Sequence, residues 1–394
     1  MSNSLVAQGG GYALDGWKQW PGDSDFSFQF VRILAAAQEG ASTIAECFLT
    51  AGRIKESDWD SWYREWNKIA QVSQSRAETA ANLGFNQTAQ ANWLRAANYY
   101  RSAEFFLDPN DPRRLETFNL VEHCSHKVIE LMTPKGEVVR VKYEDSHHLD
   151  AYYIPTPIGE GPRPTVIAFG GLDEYKDELI QEMTKYALPR GFSLLLVDLP
   201  GQGGTIRRQG LTARFDTEVP VGACVDYLLT RADVDPDRIA LYGASLGGYF
   251  SARAASFEHR LKCSVVDGAQ WKLANSAARL VGAPDSVAAM HAKWVFGEPD
   301  VNRLAEAAAP FDLEVAADKI RCPLLIVHGT VDEWGTAQAE NLFNFAKDNG
   351  VNVRLKWFTP EETGAAHCQC DNPTLGMEYI CDWLGQQLNC LKGE

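Results

Sequence analysis

From Asp25 to about Asp108 the apolar positions recur at helical spacing, with few glycines or prolines between them. Phe28, Val31, Ile33 and Leu34 begin one apolar face, and Ile44, Cys47 and Phe48 continue along another, as in helices that bury one side. Trp59, Trp62, Tyr63 and Trp66 fall at i, i+3, i+4 and i+7. That spacing sets four aromatic rings on one side of a helix, which reads as a packing face, an aromatic ligand wall being the alternative. Trp93, Tyr99, Tyr100, Phe105 and Phe106 carry the aromatic content along the next helices until Asp108-Pro109-Asn110-Asp111-Pro112 interrupts the pattern. Near His126 the period changes. Lys127 to Met132, Val138 to Tyr143 and Leu149 to Ile154 alternate or run apolar, which predicts an antiparallel meander. Further strand candidates follow at Arg238 to Gly243, Cys263 to Val266, Pro323 to Val327 and Val351 to Phe358, and ahead of them Thr165 to Phe169 and Phe192 to Val197 are nearly continuous apolar runs. Such runs suit strands covered on both faces. Helical segments over Glu178 to Leu188, Val221 to Thr230 and Tyr249 to Ala255 separate several of them. The pattern is α/β, with a mostly parallel central sheet, a helical cap or dimerisation region over 1–125 and an α/β region over 126–394. About fifty residues lie between Asp267 and Cys322, more than one crossover needs. Part of that stretch, within 270–318, is expected to fold over the site as a lid, plain surface helices being the alternative.

One turn organises the chemistry. Leu241-Tyr242-Gly243-Ala244-Ser245-Leu246-Gly247-Gly248 runs from an apolar strand into a helix, so Gly243-x-Ser245-x-Gly247 sits in the strand–turn–helix setting of a nucleophile elbow. Its glycines remove Cβ atoms where strand and helix crowd the turn. The backbone N–H of Leu246, at the start of that helix, is aimed at a developing oxyanion. A serine hydroxyl needs a base, and the base an orienting acid. Asp332 follows the strand Leu324 to Val327 and His367 follows the last strand, giving the order Ser, Asp, His at carboxyl ends of strands. Alternatives stay open for each. Asp332 could cap a helix, with Glu333 or Asp267 as the acid, and His328 reads as a hydrogen-bonded structural histidine. His367 could be a turn residue, or join Cys368 and Cys370 on a metal, although one His-Cys-x-Cys cluster falls short of a zinc ligand set. A second oxyanion donor is expected from Gly171 or Leu172 in the loop after Phe169. Asp173 and Glu174 are candidates to orient a substrate hydroxyl or ketone, salt bridging being the commoner fate of such acids, and Trp271 and Trp294 are candidate substrate contacts in the lid. Asp198-Leu199-Pro200-Gly201-Gln202-Gly203-Gly204 lacks the register of a nucleotide loop and reads as an ordinary strand-to-loop turn.

Composition narrows the class. A net charge of −15 over 394 residues argues against a phosphate-binding surface, so no nucleic acid partner is expected. No run of eighteen apolar residues occurs, and Met1-Ser2-Asn3-Ser4 begins no export signal. A soluble cytoplasmic protein without a membrane partner is expected. The nine cysteines are odd in number and scattered, as for reduced, mostly buried thiols.

With these residues placed, the chain resembles the α/β-hydrolase superfamily across roughly 126–394. Phe169-Gly170-Gly171-Leu172-Asp173, Asp198-Leu199-Pro200-Gly201-Gln202-Gly203, Gly243-Ala244-Ser245-Leu246-Gly247-Gly248 and Ala366-His367-Cys368-Gln369 look like the branch that includes bacterial 2,6-dihydroxypseudooxynicotine hydrolase and the fungal yellowish-green pigment hydrolases. The resemblance implies Ser245, Asp332 and His367 as a catalytic triad, a helical cap and a homodimer. It also implies a cofactor-independent serine hydrolase that cleaves a C–C bond beside a carbonyl in a hydrophobic, aromatic or polyketide-like small molecule. Ester or thioester hydrolysis and acyl transfer or cyclisation use the same machinery, and a catalytically silent binding protein on this scaffold is the alternative outside enzymes.

Overall fold

The N-terminal part of the chain is helical, and side-chain caps mark where its helices start. In the computed structural model, which describes residues 18–390 apart from Asp145 and Glu333, α1 (Ser24–Ala35), α2 (Ile44–Ala51) and α3 (Trp59–Asn82) start behind Asp23, Thr43 and Asp58. Each side-chain oxygen accepts an N–H that the first turn leaves unpaired. α4 (Asn86–Glu104) packs antiparallel on α3, and α5 (Pro112–Glu130) begins with Pro112 behind an Asp111 cap. Trp62 and Trp66 are fully buried and Trp59 is 39% exposed, so the aromatic stripe is a packing face whose outer end reaches solvent. The Trp62 indole N–H donates to the Ser102 carbonyl at 2.7 Å, and its ring meets Phe26 and Phe106 at 4.7 and 5.0 Å.

One expected strand is a helix. Lys127–Glu130 completes α5, so the helical region runs past residue 125. Val121, Cys124 and Val128 are buried at helical spacing. The β-branched Val128 and Ile129 imitate a strand locally, and packing of the α5 face overrides that propensity. The first four residues, read above for export, lie outside the described residues.

The sheet follows as eight strands among the described residues, in the order β1-β2-β4-β3-β5-β6-β7-β8. These are β1 (Glu137–Tyr143), β2 (His147–Ile154), β3 (Arg163–Phe169), β4 (Ser193–Val197), β5 (Val234–Ala244), β6 (Cys263–Asp267), β7 (Leu324–Gly329) and β8 (Val353–Phe358). β1–β2 and β2–β4 pair antiparallel and the remaining neighbours parallel. Alternation splits each central strand between two cores. Val166, Ala168 and Tyr242 join the core of helices α1–α5, while Ile167, Phe169 and Leu241 face the other side. The crossovers are α6 (Lys176–Ala187), α7 (Gly203–Gln209), α8 (Glu218–Leu229) and α9 (Leu246–Phe257). After β6 come α10 (Leu273–Arg279), α11 (Val287–Phe296) and the short α12 (Leu304–Ala307), then α13 (Thr336–Asp348) and α14 (Pro373–Gln387). No helix among the described residues is long and apolar enough to cross a membrane. The nine cysteines are free thiols, buried or half-buried.

Because one core spans the helices and the sheet, a cavity at Trp62 should propagate. Trp62→Ala is expected to cost about 3–5 kcal/mol by denaturant unfolding, against about 1 kcal/mol or less for the half-exposed Trp59→Ala. Equal losses for the two would contradict this packing.

Candidate active site

β5 ends in a turn that only the local sequence allows. A Cβ on Gly243 would lie 2.0 Å from the Gly247 carbonyl oxygen and 2.6 Å from the Phe169 ring, so strand and helix close up on bare backbone. Ser245 occupies the turn at φ 57°, ψ −118°, a region that costs a side-chain-bearing residue of order 1–3 kcal/mol. Its N–H donates to the Asp267 carbonyl at 2.7 Å, and its carbonyl accepts the Gly248 N–H at 2.8 Å. These bonds hold the strained turn and leave Oγ facing a cavity.

Two other loops reach the same edge of the sheet. Asp332 follows β7 and is buried, its Oδ1 accepting the Trp334 N–H at 2.9 Å. His367 follows β8 in a loop fixed by Asp371, whose carboxylate accepts the N–H groups of Gly364, Ala365 and Ala366 at 2.8, 3.2 and 3.0 Å. The imidazole is buried, with Nε2 2.8 Å from Ser245 Oγ and Nδ1 2.7 Å from Asp332 Oδ2. Both ring nitrogens are therefore engaged, which leaves none for a metal shared with Cys368 and Cys370. Such a chain can move the serine proton to the ring and stabilise the imidazolium that results.

The electrostatics agree. Burial alone would push the His367 pKa down, but the Asp332 charge and hydrogen bond lift it above the ordinary histidine value. Burial likewise works against the Asp332 carboxylate, and His367 outweighs it, holding Asp332 below the usual carboxylate range. Asp267, the rival acid, accepts from Tyr242 at 3.1 Å rather than from His367, and burial raises it to about 7. Glu333, the other rival, lies outside the described residues. His328 sits beneath the site, buried, with Nε2 3.3 Å from Asp332 Oδ2 and its ring edge-on to Trp357. Neither of its nitrogens makes a well-formed hydrogen bond among the described residues, unlike the structural histidine expected.

The cavity in front of Ser245 is walled by α1, α4, α6, α10, α11 and the loop after β3. Gly171, Leu172, Asp173, Glu174 and Leu246 all line it. Asp173 and Glu174 are held by Arg32 of α1 at 3.3 and 3.4 Å. Arg32 also meets Glu178 at 2.9 Å, and Arg101 of α4 meets it at 2.6 Å. Burial raises Glu178 to about 7 and Glu182 well above the usual carboxylate range. Glu174, Glu178 and Glu182 bring carboxylate oxygens within 4.8 Å of one another, and guanidinium groups occupy that cluster. Phe28, Phe105, Phe296, Leu273, Leu280 and Val287 form an apolar wall.

Two expected contacts are absent. Trp271 packs on Phe345 at 5.2 Å, and its backbone N–H donates to Gln338 Oε1 at 2.7 Å. Trp294 faces away from the cavity, stacked under Arg114 and Arg207 at 4.6 and 5.1 Å. On α11 the cavity face carries Ala288, His291 and Ala292, and Trp294 lies off that i, i+3, i+4 row. His291 takes the place expected of a tryptophan: it stacks on Phe105, its Nε2 lies 3.1 Å from the Phe105 carbonyl, and burial lowers it to about 3. Arg32, Arg101 and Asp371 have no motif to announce them. The one available signal was a lone arginine on the apolar face of α1.

Strand order, parallel crossovers and three loops meeting at the carboxyl edge of the sheet define an α/β hydrolase. The chain matches the family described as Esterase FrsA-like over residues 54–292 and belongs to it; residues 220–389 also match the prolyl oligopeptidase family. It is 32% identical to "20-hydroxy-prefusarin hydrolase FUS2" of Gibberella moniliformis over 84% of this chain and 88% of that protein. It is 31% identical to "Hydrolase LUC6" of a Fusarium species over 94% of this chain and 98% of that protein. The crystal structure of the 2,6-dihydroxy-pseudo-oxynicotine hydrolase shares the fold, with a TM-score of 0.76 at 23% identity over 90% of this chain and 95% of that one. The protein is an enzyme with hydrolase activity.

The imidazole provides a test that needs no substrate. With the folded pKa raised above about 6.5, the usual value, this pairing stabilises the fold fully below that pH and the stabilisation is lost as pH rises through the folded value. NMR of ¹³C-labelled histidine should show a His367 midpoint above 6.5, and Asp332→Asn should lower it, because burial is then opposed only by the charges of Asp267 and Asp173. A midpoint that ignores Asp332→Asn would contradict the coupling.

Proposed function

We propose that Ser245 is the nucleophile, His367 the general base and acid, and Asp332 the carboxylate that orients and charges the ring. The reaction we assign is hydrolysis of a C–C bond beside a carbonyl in a hydrophobic, aromatic or polyketide-like molecule. The observation that carries the reading is the unbroken hydrogen-bond chain from Asp332 through His367 to Ser245, opening onto a cavity with an aromatic and aliphatic wall. Ser245 Oγ attacks the ketone carbon while His367 Nε2 takes its proton. The oxyanion is received by the N–H groups of Leu246 and of Gly171 or Leu172. Collapse breaks the C–C bond, and the carbon leaving group, its electron pair delocalised into a neighbouring carbonyl or phenol, takes the proton from His367. Water, deprotonated by His367, then releases the acyl group as a carboxylic acid. The similarity to a protein named as a hydrolase of 20-hydroxy-prefusarin supports a substrate of this kind.

Ester hydrolysis is the second reading, favoured by the family's description as esterase-like, and it needs the same groups with an alkoxide leaving. Product masses in H₂¹⁸O separate the outcomes on a β-diketone and a matched ester. One ¹⁸O in a new carboxylate from the diketone supports C–C hydrolysis; turnover of the ester alone refutes it, and product without added water indicates acyl transfer. Ser245→Ala should abolish fluorophosphonate labelling and lower turnover by about 10⁴-fold or more while the unfolding midpoint holds. Labelling that persists in that variant would remove Ser245 from the role.

A further inference from the structure

The loop Asp198–Gly204 takes no part in the chemistry above, yet it is tied to the loop that carries the second oxyanion donor. Gln202 is buried. Its Oε1 accepts the Leu199 N–H at 3.0 Å, which fixes the amide so that Nε2 faces the other way. Nε2 donates to the Gly170 carbonyl at 2.5 Å and to the Gly171 carbonyl at 3.1 Å, one hydrogen to each. In a trans peptide the C=O and the following N–H point in opposite directions. Holding the carbonyls of 170 and 171 therefore turns the N–H groups of Gly171 and Leu172 away from Gln202. Gly171 itself lies against the nucleophile, for a Cβ there would stand 2.8 Å from Ser245 Cβ and 3.3 Å from Oγ. From the helical side, Arg101 donates to the carbonyl of Asp173 at 3.2 Å. The whole arrangement is braced by Asp198, whose carboxylate accepts the N–H of Lys176 and that of Gly204, each at 2.9 Å.

We infer that Gln202 is a positioning residue for the oxyanion site, fixing two successive peptide planes so that their N–H groups are already aimed at the tetrahedral intermediate. This rests on the assignment of Ser245 and of the donors at Gly171 and Leu172. Preorganised donors matter because they need not reorient as charge develops, and loss of one such donor typically lowers turnover by about 10²–10³-fold. Gln202 does not line the cavity, so its removal frees the planes without deleting a donor. A smaller effect follows, about 10–100-fold, confined to the transition state.

Gln202→Met keeps the length and removes both hydrogen-bonding ends, and Gln202→Glu keeps the acceptor for Leu199 while replacing the donor. The two are compared with wild type by fluorophosphonate labelling rate and by inhibition with an alkyl boronic acid, whose tetrahedral serine adduct places an oxygen in the oxyanion site. Expected for either folded variant are a labelling rate and boronate affinity lowered about 10–100-fold, KM for a p-nitrophenyl ester within about threefold, and an unchanged His367 midpoint by NMR. Rates within twofold of wild type in both variants would overturn the inference, as would a loss that shifts the His367 midpoint equally, since that marks general damage to the site. Wild-type protein that does not label at all would instead refute the assignment of Ser245, so the two failures are distinguishable.

Discussion

The site depends on a contact that has no room for a side chain. Gly243 at the end of β5 and the carbonyl of Gly247 in α9 approach so closely that a Cβ would overlap the oxygen. That closeness sharpens the turn and drives Ser245 into its positive φ. Any widening would relax the serine and swing Oγ off His367, since the two meet over a single hydrogen bond of 2.8 Å. The strain persists because the Asp267 carbonyl and the Gly248 N–H clamp the turn from both sides.

The imidazole is positioned by an independent device. Asp371 gathers three consecutive N–H groups ahead of His367, and the loop passes over the end of β7, where a Cβ on Gly329 would lie 2.0 Å from the Ala365 carbonyl oxygen. Asp332 leaves that same strand end. Imidazole and carboxylate are thus located against one another through backbone, and their short contact follows from the position of two strands rather than from two flexible side chains finding each other.

How much of this could be read from the chain depends on how local the cause was. The strands Thr165–Phe169 and Cys263–Val266 are nearly continuous apolar runs because both faces are covered, and Ser245, Asp332 and His367 stand just past strand ends, so each had a neighbourhood that named it. The end of α5 reads as a strand because Val128 and Ile129 are β-branched, and only the packing of Val121, Cys124 and Val128 on one face decides for helix. Trp271 and Trp294 are expected at the cavity because they lie in the long stretch between Asp267 and Cys322. Their actual neighbours, Phe345, Arg114 and Arg207, come from parts of the chain no short window can join to them. Arg32, Arg101 and Gln202 were illegible for the same reason: each acts on a loop more than thirty residues away or on another layer of the fold.

Those arginines bear on why the helical region is joined to the sheet by charge at all. Arg101 and Glu178 are both almost wholly buried, and Arg32 is mostly covered. Taking such groups out of water costs several kcal/mol per ion, and packed apolar residues of similar volume typically do as well or better by about 1–4 kcal/mol. Stability therefore gives no reason for the network. Direction does: an apolar contact between α4 and the loop after β3 could slide, whereas Arg101 bonds the Asp173 carbonyl at a fixed point and Arg32 spans Asp173, Glu174 and Glu178 at once. The segment so fixed begins at Gly170 and Gly171, whose carbonyls Gln202 holds from the opposite side. The backbone segment that lies against Ser245 is held by directional bonds on both flanks, and the helical layer is thereby part of the geometry of the site as well as the roof of its cavity.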